Sequence, residues 1–399
     1  MTTPDAPSAP PASKGVNSRL VALAAGAGLS EFGDVLFFVA FIADLYVSTG
    51  SARTVGFVLV AFSAGNLVGA IAGGTLIDRL PARAWLVLGN LATAGLVVFA
   101  YATALPAVAA LALVVGVTGR ALLVGQQACI PLTEPGPLLR ANAVIMSTRR
   151  LGQLAAPFLA GTLVALGHTR DAYLIDAATF VFSAVATFVA LPPRRRLHRQ
   201  EATATGIIAY ARRTPAVRTS FLVQCVIGVI LGTSNTVVVV YATEFLHSGP
   251  RGYGILSTFT AVGAILGGLT VGLLRRRASA KWATVGCLAV AGLALGLLPA
   301  VPWLAVASLL RACGGWAWNV LSIVLLAALH EGGPRHLHGR LIGVTRSGQD
   351  ICLIIFTALA GTAATLVGIT GVLLGAGVLG VASALALALA RRPFDWQPG

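Results

Sequence analysis

The sequence predicts an all-α integral membrane protein, with twelve transmembrane helices arranged as two pseudo-symmetric six-helix bundles. Three observations carry that expectation. The 399 residues are 57% hydrophobic and only 10% charged, with a mean hydropathy of +0.86, whereas a soluble domain carries about 25% charged residues on a surface that must be wetted. The apolar residues come in runs of roughly 20, the length an α-helix needs to cross ~30 Å of hydrocarbon. The two halves of the chain also repeat each other. The alternating ten-residue segments of a membrane β-barrel do not occur.

Taken in order, the predicted spans cover about 20–45, 54–77, 84–104, 106–129, 142–166, 172–192, 218–243, 252–274, 282–300, 302–329, 341–366 and 368–390. Most turns between them are short and marked by Gly or Pro. Residues 1–18 are rich in Pro, Ala, Ser and Thr and read as a disordered tail, with no cleavable signal sequence. Spans one to six form an N-terminal bundle over 19–192. A polar linker over 193–217, opened by Pro193-Arg194-Arg195-Arg196, holds a candidate surface helix at 202–213. The second bundle covers 218–391, and 392–399 form a second tail.

The net charge of +15 would point to nucleic acid in a soluble protein. Here it marks loops: positive residues are retained on the cytoplasmic side during insertion. With the N-terminus inside, Arg79, Arg83, Arg140, Arg194, Arg195, Arg196, Arg275, Arg276, Arg277, Arg340 and Arg391 all fall inside. Arg149, Arg150 and Arg346 lie just within the cytoplasmic ends of spans five and eleven, and only Arg53, Arg170 and Arg251 remain outside. Both termini are therefore expected in the cytoplasm of a cell whose plasma membrane holds the chain, with the lipid bilayer as its main partner and no nucleic acid. The five cysteines fall within apolar spans and read as small buried residues, without zinc-ligand spacing. The six histidines are scattered in loops. No cofactor or metal is expected.

The repeat is seen where Gly69-Ala70-Ile71-Ala72-Gly73-Gly74 matches Gly263-Ala264-Ile265-Leu266-Gly267-Gly268. Arg150-Leu151-Gly152-Gln153 likewise matches Arg346-Ser347-Gly348-Gln349, and Arg120 is paired with Arg311. The offsets (69 to 263, 150 to 346, 120 to 311) are 194, 196 and 191 residues, so one duplication serves all three. A parallel repeat of six helices is the architecture of two bundles rocking about a midplane site.

Two segments resemble signatures of the major facilitator superfamily. After span two, Gly74-Thr75-Leu76-Ile77-Asp78-Arg79-Leu80-Pro81-Ala82-Arg83-Ala84-Trp85-Leu86 matches the loop G-x-L-x-D-R-x-G-R-R/K-x-x-L, departing at Pro81 and Ala82. The resemblance makes Gly74, Asp78, Arg79 and Arg83 a cytoplasmic gate, with Asp78 facing a helix N-terminus or an Arg of the other half. In span five, Gly152, Pro157 and Gly161 match the antiporter signature G-x-x-x-G-P-x-x-G-G, with Ala156 and Ala160 replacing two glycines. Small residues permit close helix approach and Pro bends the helix. Ser30-Glu31-Phe32-Gly33-Asp34, Arg140-Ala141-Asn142-Ala143 and Ile175-Asp176-Ala177-Ala178 further resemble the macrolide-efflux-like, drug:proton antiporter branch.

An ionisable side chain in hydrocarbon costs at least ~2.5 kcal/mol on insertion scales, so each needs a reason. Glu31 and Asp34 share a helix face at i and i+3 and are candidates for proton coupling; bracing of a neighbouring helix by Asp34 is the alternative. Asp350 is a second candidate, for proton transfer or for a local ion pair with Arg346. Asp176 reads as structural. The resemblance sets spans one, four, seven and ten around one cavity, and so places Arg120 and Arg311 there, at analogous depths. Gly125 follows Arg120 by five residues where the family's R-x-x-x-G has four, which separates Arg120 from that signature. Gln126, Asn235, Trp316 and Asn319, with Trp318, are candidate substrate contacts, packing being the alternative for each Trp.

These features predict a secondary active transporter that exports small amphipathic molecules in exchange for protons. No Walker sequence is present, so ATP is not the expected energy source. An importer or lipid transporter on the same fold is the nearer rival; a membrane enzyme or sensor is the more distant one. A monomer is expected.

Overall fold

The structure is a computed structural model that describes residues 17–101, 105–133, 138–192, 213–277, 279–332, 338–390 and Phe394. Residues 1–16, nearly all of the candidate surface helix at 202–213, and most of the tail at 392–399 lie outside the described residues. The N-terminal bundle contains α1 (Ser18–Thr49), α2 (Ala52–Arg79), α3 (Ala82–Tyr101), α4 (Leu105–Thr133), α5 (Leu138–Ala165) and α6 (Thr169–Ala190). The second contains α7 (Pro215–Val240, continued by a π-helical turn, Tyr241–Phe245), α8 (Gly249–Arg277), α9 (Ala280–Gly296) and α10 (Leu304–Gly332). The helical stretch His338–Leu389 follows and breaks at Gly368, whose φ of 73° and ψ of 165° are not helical. We treat 338–367 as α11 and 369–389 as α12.

Local chemistry sets the ends. Asn17 caps α1 by accepting from the Arg19 N–H at 3.2 Å, and its amide donates to the Thr133 carbonyl at 3.1 Å. Gly50, at φ 60°, closes the helix in the left-handed region, a conformation that costs glycine little. Ser51 then caps α2 through Thr54 N–H, so two residues suffice to reverse the chain. Nine helices among the described residues are long and apolar enough to cross a membrane, and Ala280–Gly296 is a shorter apolar one. Leu88, Phe99, Leu151, Val189, Leu269, Leu366 and Leu389 are exposed on the outer faces, where acyl chains would meet them. The five cysteines are free; Cys313 is exposed, and the others are buried or half-buried.

Each bundle is held by small residues at helix crossings. A Cβ at Gly69 would run into the carbonyl of Val117, and one at Gly73 into Ala121. In the second bundle Gly263 meets Ala312 and Gly267 meets Trp316 in the same way. These equivalent contacts relate α2 to α8 by 194 residues (69 to 263, 73 to 267) and α4 to α10 by 195 (117 to 312, 121 to 316). The counterpart of Arg120 is therefore Gly315, and that of Arg311 is Gly116. This corrects the predicted pairing of the two arginines: they sit four residues, or about one helical turn, apart in depth.

The halves meet along α5–α8 and α2–α11. Gly161 lies against Pro250 and Gly254, Gly254 in turn against Pro157, and Gly56 and Gly361 let α2 and α11 touch. Tyr46 donates to Glu244 across the same gap. All these contacts lie at the end of the bundle where α1 and α5 finish and α2 and α8 begin. Farther from that end, Arg120 and Arg346 are exposed although both lie within long helices.

Substitutions at the crossings check this packing. Gly69→Ala and Gly263→Ala should each lower the thermal unfolding temperature of the purified protein, since overpacking costs ~1–3 kcal/mol. Gly95→Ala, where a Cβ meets open space, should leave it unchanged or raise it slightly.

Candidate functional site

The centre of the first bundle is organised by a buried ion pair. Arg149 Nη1 lies 2.7 Å from Glu31 Oε2, with the two side chains 9% and 19% exposed. Arg149 Nη2 donates to Gln126 Oε1 at 2.6 Å, Gln153 Nε2 donates to Glu31 Oε1 at 2.6 Å, and Gln126 Nε2 donates to Ser183 at 3.2 Å. Four helices are thereby tied together: α1, α4, α5 and α6. The sequence makes this possible in two ways. Arg149 and Gln153, at i and i+4, point from one face of α5, and Gly152 between them lets α5 close on the backbone of Gly28 and Phe32.

Beside the pair is a cavity of about 170 Å³ lined by Glu31, Asp34, Asn66, Asn90, Arg120 and Asp176, among others. Asp34 faces this space and makes no hydrogen bond or ion pair with another described residue; Glu31 and Arg149 act on it electrostatically. Asp176 is 1% exposed and close enough to act on Asp34. It packs against Gly33, and its Oδ2 has no hydrogen-bond partner. A second cavity, of about 220 Å³, lies between the halves and shares Asn66 and Arg120 with the first. There Asp350 of α11 faces the same space as Arg120 of α4. Asp350 makes no ion pair within 4 Å with a described residue; Arg120, from the other half, and Arg346, on its own helix, both act on it.

The second bundle has a cavity of different chemistry. About 320 Å³ is enclosed mostly by aliphatic side chains, together with Ser234, Asn235, Arg311 and Trp318. Arg311 Nη1 donates to Ser234 Oγ at 2.6 Å, and its Nε is unpartnered. By the 195-residue offset, Gly314, Trp318 and Leu321 on this wall stand where Gly119, Leu123 and Gln126 line the acidic cavity (119 to 314, 123 to 318, 126 to 321). The two cavities are thus equivalent places in the duplicated fold, one carboxylate-lined and one apolar with a single cation.

Several predicted residues are placed elsewhere. Trp316 turns to α8, donating from its indole N–H to Thr270 at 2.8 Å, and Asn319 donates to the Ala264 carbonyl. Both bind α10 to α8 and leave the cavity wall to Trp318. Gln126 is consumed by Arg149 and Ser183 rather than turned to a ligand. Arg83, predicted to latch the halves, stacks 3.5 Å above the ring of Phe188 in its own bundle, an interaction that favours guanidinium over an aromatic face. Arg79 is exposed at the end of α2, and the side chains of Gly74 and Asp78 lie outside the described ones. Pro157 and Gly161, expected to bend α5, lie at its seam with α8.

Two charged residues of the site are ones the sequence alone does not assign to it, and the amides Gln153, Asn66 and Asn90 and the hydroxyl of Ser183 join them. From the sequence Arg149 is only a topology-setting charge, although its spacing from Gln153 marks a polar face on α5. Asp176 reads as structural, its signals being a charge in an apolar run and the resemblance of its neighbours to the efflux branch.

With the geometry in place, the comparisons with known proteins are direct. Residues 23–356 match the family model of the Major Facilitator Superfamily, and the chain belongs to that family: it is a multi-pass membrane transporter. It is 25% identical over 217 residues to the multidrug efflux pump Tap of Mycolicibacterium fortuitum, a match spanning 52% of each chain, so about half of that pump's length. It is 27% identical over 327 residues to the enterobactin exporter EntS of Escherichia coli, covering 77% of this chain and 76% of the exporter. The solved nucleoside transporter NupG shares the fold at a TM-score of 0.77 with 14% identity, over 93% of this chain and 98% of NupG.

Removing one partner of a buried ion pair strands the other charge, at a cost of ~3–5 kcal/mol. Arg149→Met and Glu31→Gln should each destabilise the protein in thermal denaturation, Arg149→Met more. The double variant should recover much of the loss. Simple additivity of the two effects would show that the pair does not couple.

Proposed function

We propose that this transporter is an exporter driven by proton exchange, carrying small amphipathic molecules across the plasma membrane with both of its termini in the cytoplasm. One observation carries the reading: Asp34 faces the midplane cavity without a bonded partner, beside a Glu31 already neutralised by Arg149. A carboxylate so placed can exchange a proton without dismantling the bundle, because its neighbour bears the structural duty. Glu31 and Asp34, expected as one pair, divide into a tie and a carrier. Asp350, facing Arg120 across the halves, is the alternative carrier.

The efflux relatives support export, and so does the arrangement of the halves. Charge asymmetry along the sequence assigns the end where they touch to the outside, so the gap between them opens to the cytoplasm, where an exported substrate enters. In this cycle Asp34 takes a proton from outside when the cavity faces that way, and gives it up to the cytoplasm as substrate binds. The rocking seam is α5–α8 and α2–α11, whose glycine contacts let backbones slide with little side-chain interlock.

The test uses inside-out vesicles holding an acid-inside gradient reported by a fluorescent dye. Addition of a transported amphiphile should collapse part of the gradient in wild type and fail to do so in Asp34→Asn. Loss confined to Asp350→Asn would transfer the carrier role to that residue. A wild type that moves substrate with no proton flux would overturn the exchange.

A further inference from the structure

The second-bundle cavity holds an arginine without a counter-charge. No described carboxylate lies within ion-pair distance of Arg311; its hydrogen bond is to the neutral Ser234. Tyr253, itself 5% exposed, is the titratable group that acts on it. Other cations are treated differently: buried Arg149 is matched by Glu31, and exposed Arg120 faces Asp350. A guanidinium held in an apolar wall is expensive and stays charged. The Nε of Arg311 and the indole N–H of Trp318 are both without partners, and both residues line this cavity. Asn235 adds an amide, and the rest of the wall is Ile, Leu, Ala and Gly.

We infer that this cavity is the substrate's docking place, and that it selects a monoanionic molecule with an aromatic or other flat apolar body. Arg311 and Ser234 take the anionic group, with Trp318 and the aliphatic wall covering the ring. The duplication sharpens the assignment. In the equivalent space of the first bundle Arg149 is already matched by Glu31 and Asp34 adds a further carboxylate, so the buried guanidinium left open to an anion is the one in the second bundle. The inference rests on the transporter reading proposed above but not on its proton coupling, since binding requires no gradient.

The probe is tritiated 1-naphthoate, bound at equilibrium to the purified full chain in lipid nanodiscs and displaced by unlabelled analogues with the same ring. Naphthoate should bind saturably. Neutral 1-naphthamide and cationic 1-naphthylmethylamine should compete about tenfold more weakly or worse, the scale of a charge-assisted hydrogen bond. Arg311→Met should abolish the preference for the anion, and Arg311→Lys, which keeps the charge, should retain it in part. If Arg311→Met does not fold, the wild-type charge series and Arg311→Lys decide. Absence of saturable naphthoate binding, equal competition by the amide, or an anion preference that survives Arg311→Met would each overturn the inference. Failure of proton exchange in vesicles would leave it standing.

Discussion

The buried pair of Glu31 and Arg149 is the constraint on which the first bundle depends. A lone carboxylate or guanidinium at that depth would be costly in hydrocarbon, and the pair is made tolerable by further hydrogen bonds to both partners. Gln153 fills one oxygen of Glu31, and Gln126 takes a second nitrogen of Arg149. Ser183 holds Gln126 in turn. The polar chain therefore runs through α5, α1, α4 and α6, and fixes the angular setting of helices whose outer faces are only apolar. Hydrophobic packing alone cannot set rotation in lipid, because acyl chains solvate a leucine as well as another helix does.

Duplication then explains how one fold holds two unlike sites. The crossings at Gly69 and Gly263, and at Gly73 and Gly267, keep the backbones of the halves in register, while the walls between crossings are free to diverge. At the Arg120 position the second bundle has Gly315; at the Gln126 position it has Leu321. Leu321 has no amide to offer, so the second bundle lacks a counterpart of the group that helps hold Arg149. Arg311, one turn displaced, is left to Ser234 alone. Divergence at a few wall positions, with the seams preserved, is enough to make one cavity carboxylate-lined and the other apolar with a single cation.

The helices were legible because membrane thickness imposes their length and because Gly and Pro punctuate them: Gly50, Gly167 and Gly249 all adopt positive φ at the reversals. The break at Gly368 fell where the eleventh span was expected to end. The site was legible in part. Glu31, Asp34 and Arg311 stand out as charges in apolar runs, and chemistry alone makes them conspicuous. What the sequence did not carry is helix rotation. Arg149 and Arg150 are neighbours, and nothing local says which turns inward; in the fold Arg149 meets Glu31 and Arg150 reaches only Gln153. Trp316 and Trp318 pose the same choice two residues apart. The answer came from Thr270 on a helix some fifty residues away. Asp176 became part of the site only through the contact of α6 with Gly33.

Helix α5 joins these threads. Its inner stretch presents Arg149 and Gln153 to Glu31, and its outer stretch, Pro157 to Gly161, is the seam with α8 of the other half. Between them Pro157 lacks an N–H and so cannot bond the carbonyl of Gln153. The helix is thus weakest between its electrostatic anchor and its mobile contact. In the exchange proposed above, a change of charge beside Glu31 alters the pull on Arg149 and Gln153, and α5, which also contacts α8, is the element that carries it across. A proton on Asp34 is such a change, since it removes a negative charge that acts on the same cluster. The proposed coupling needs no long pathway, only one helix with two different neighbours and a missing hydrogen bond between them.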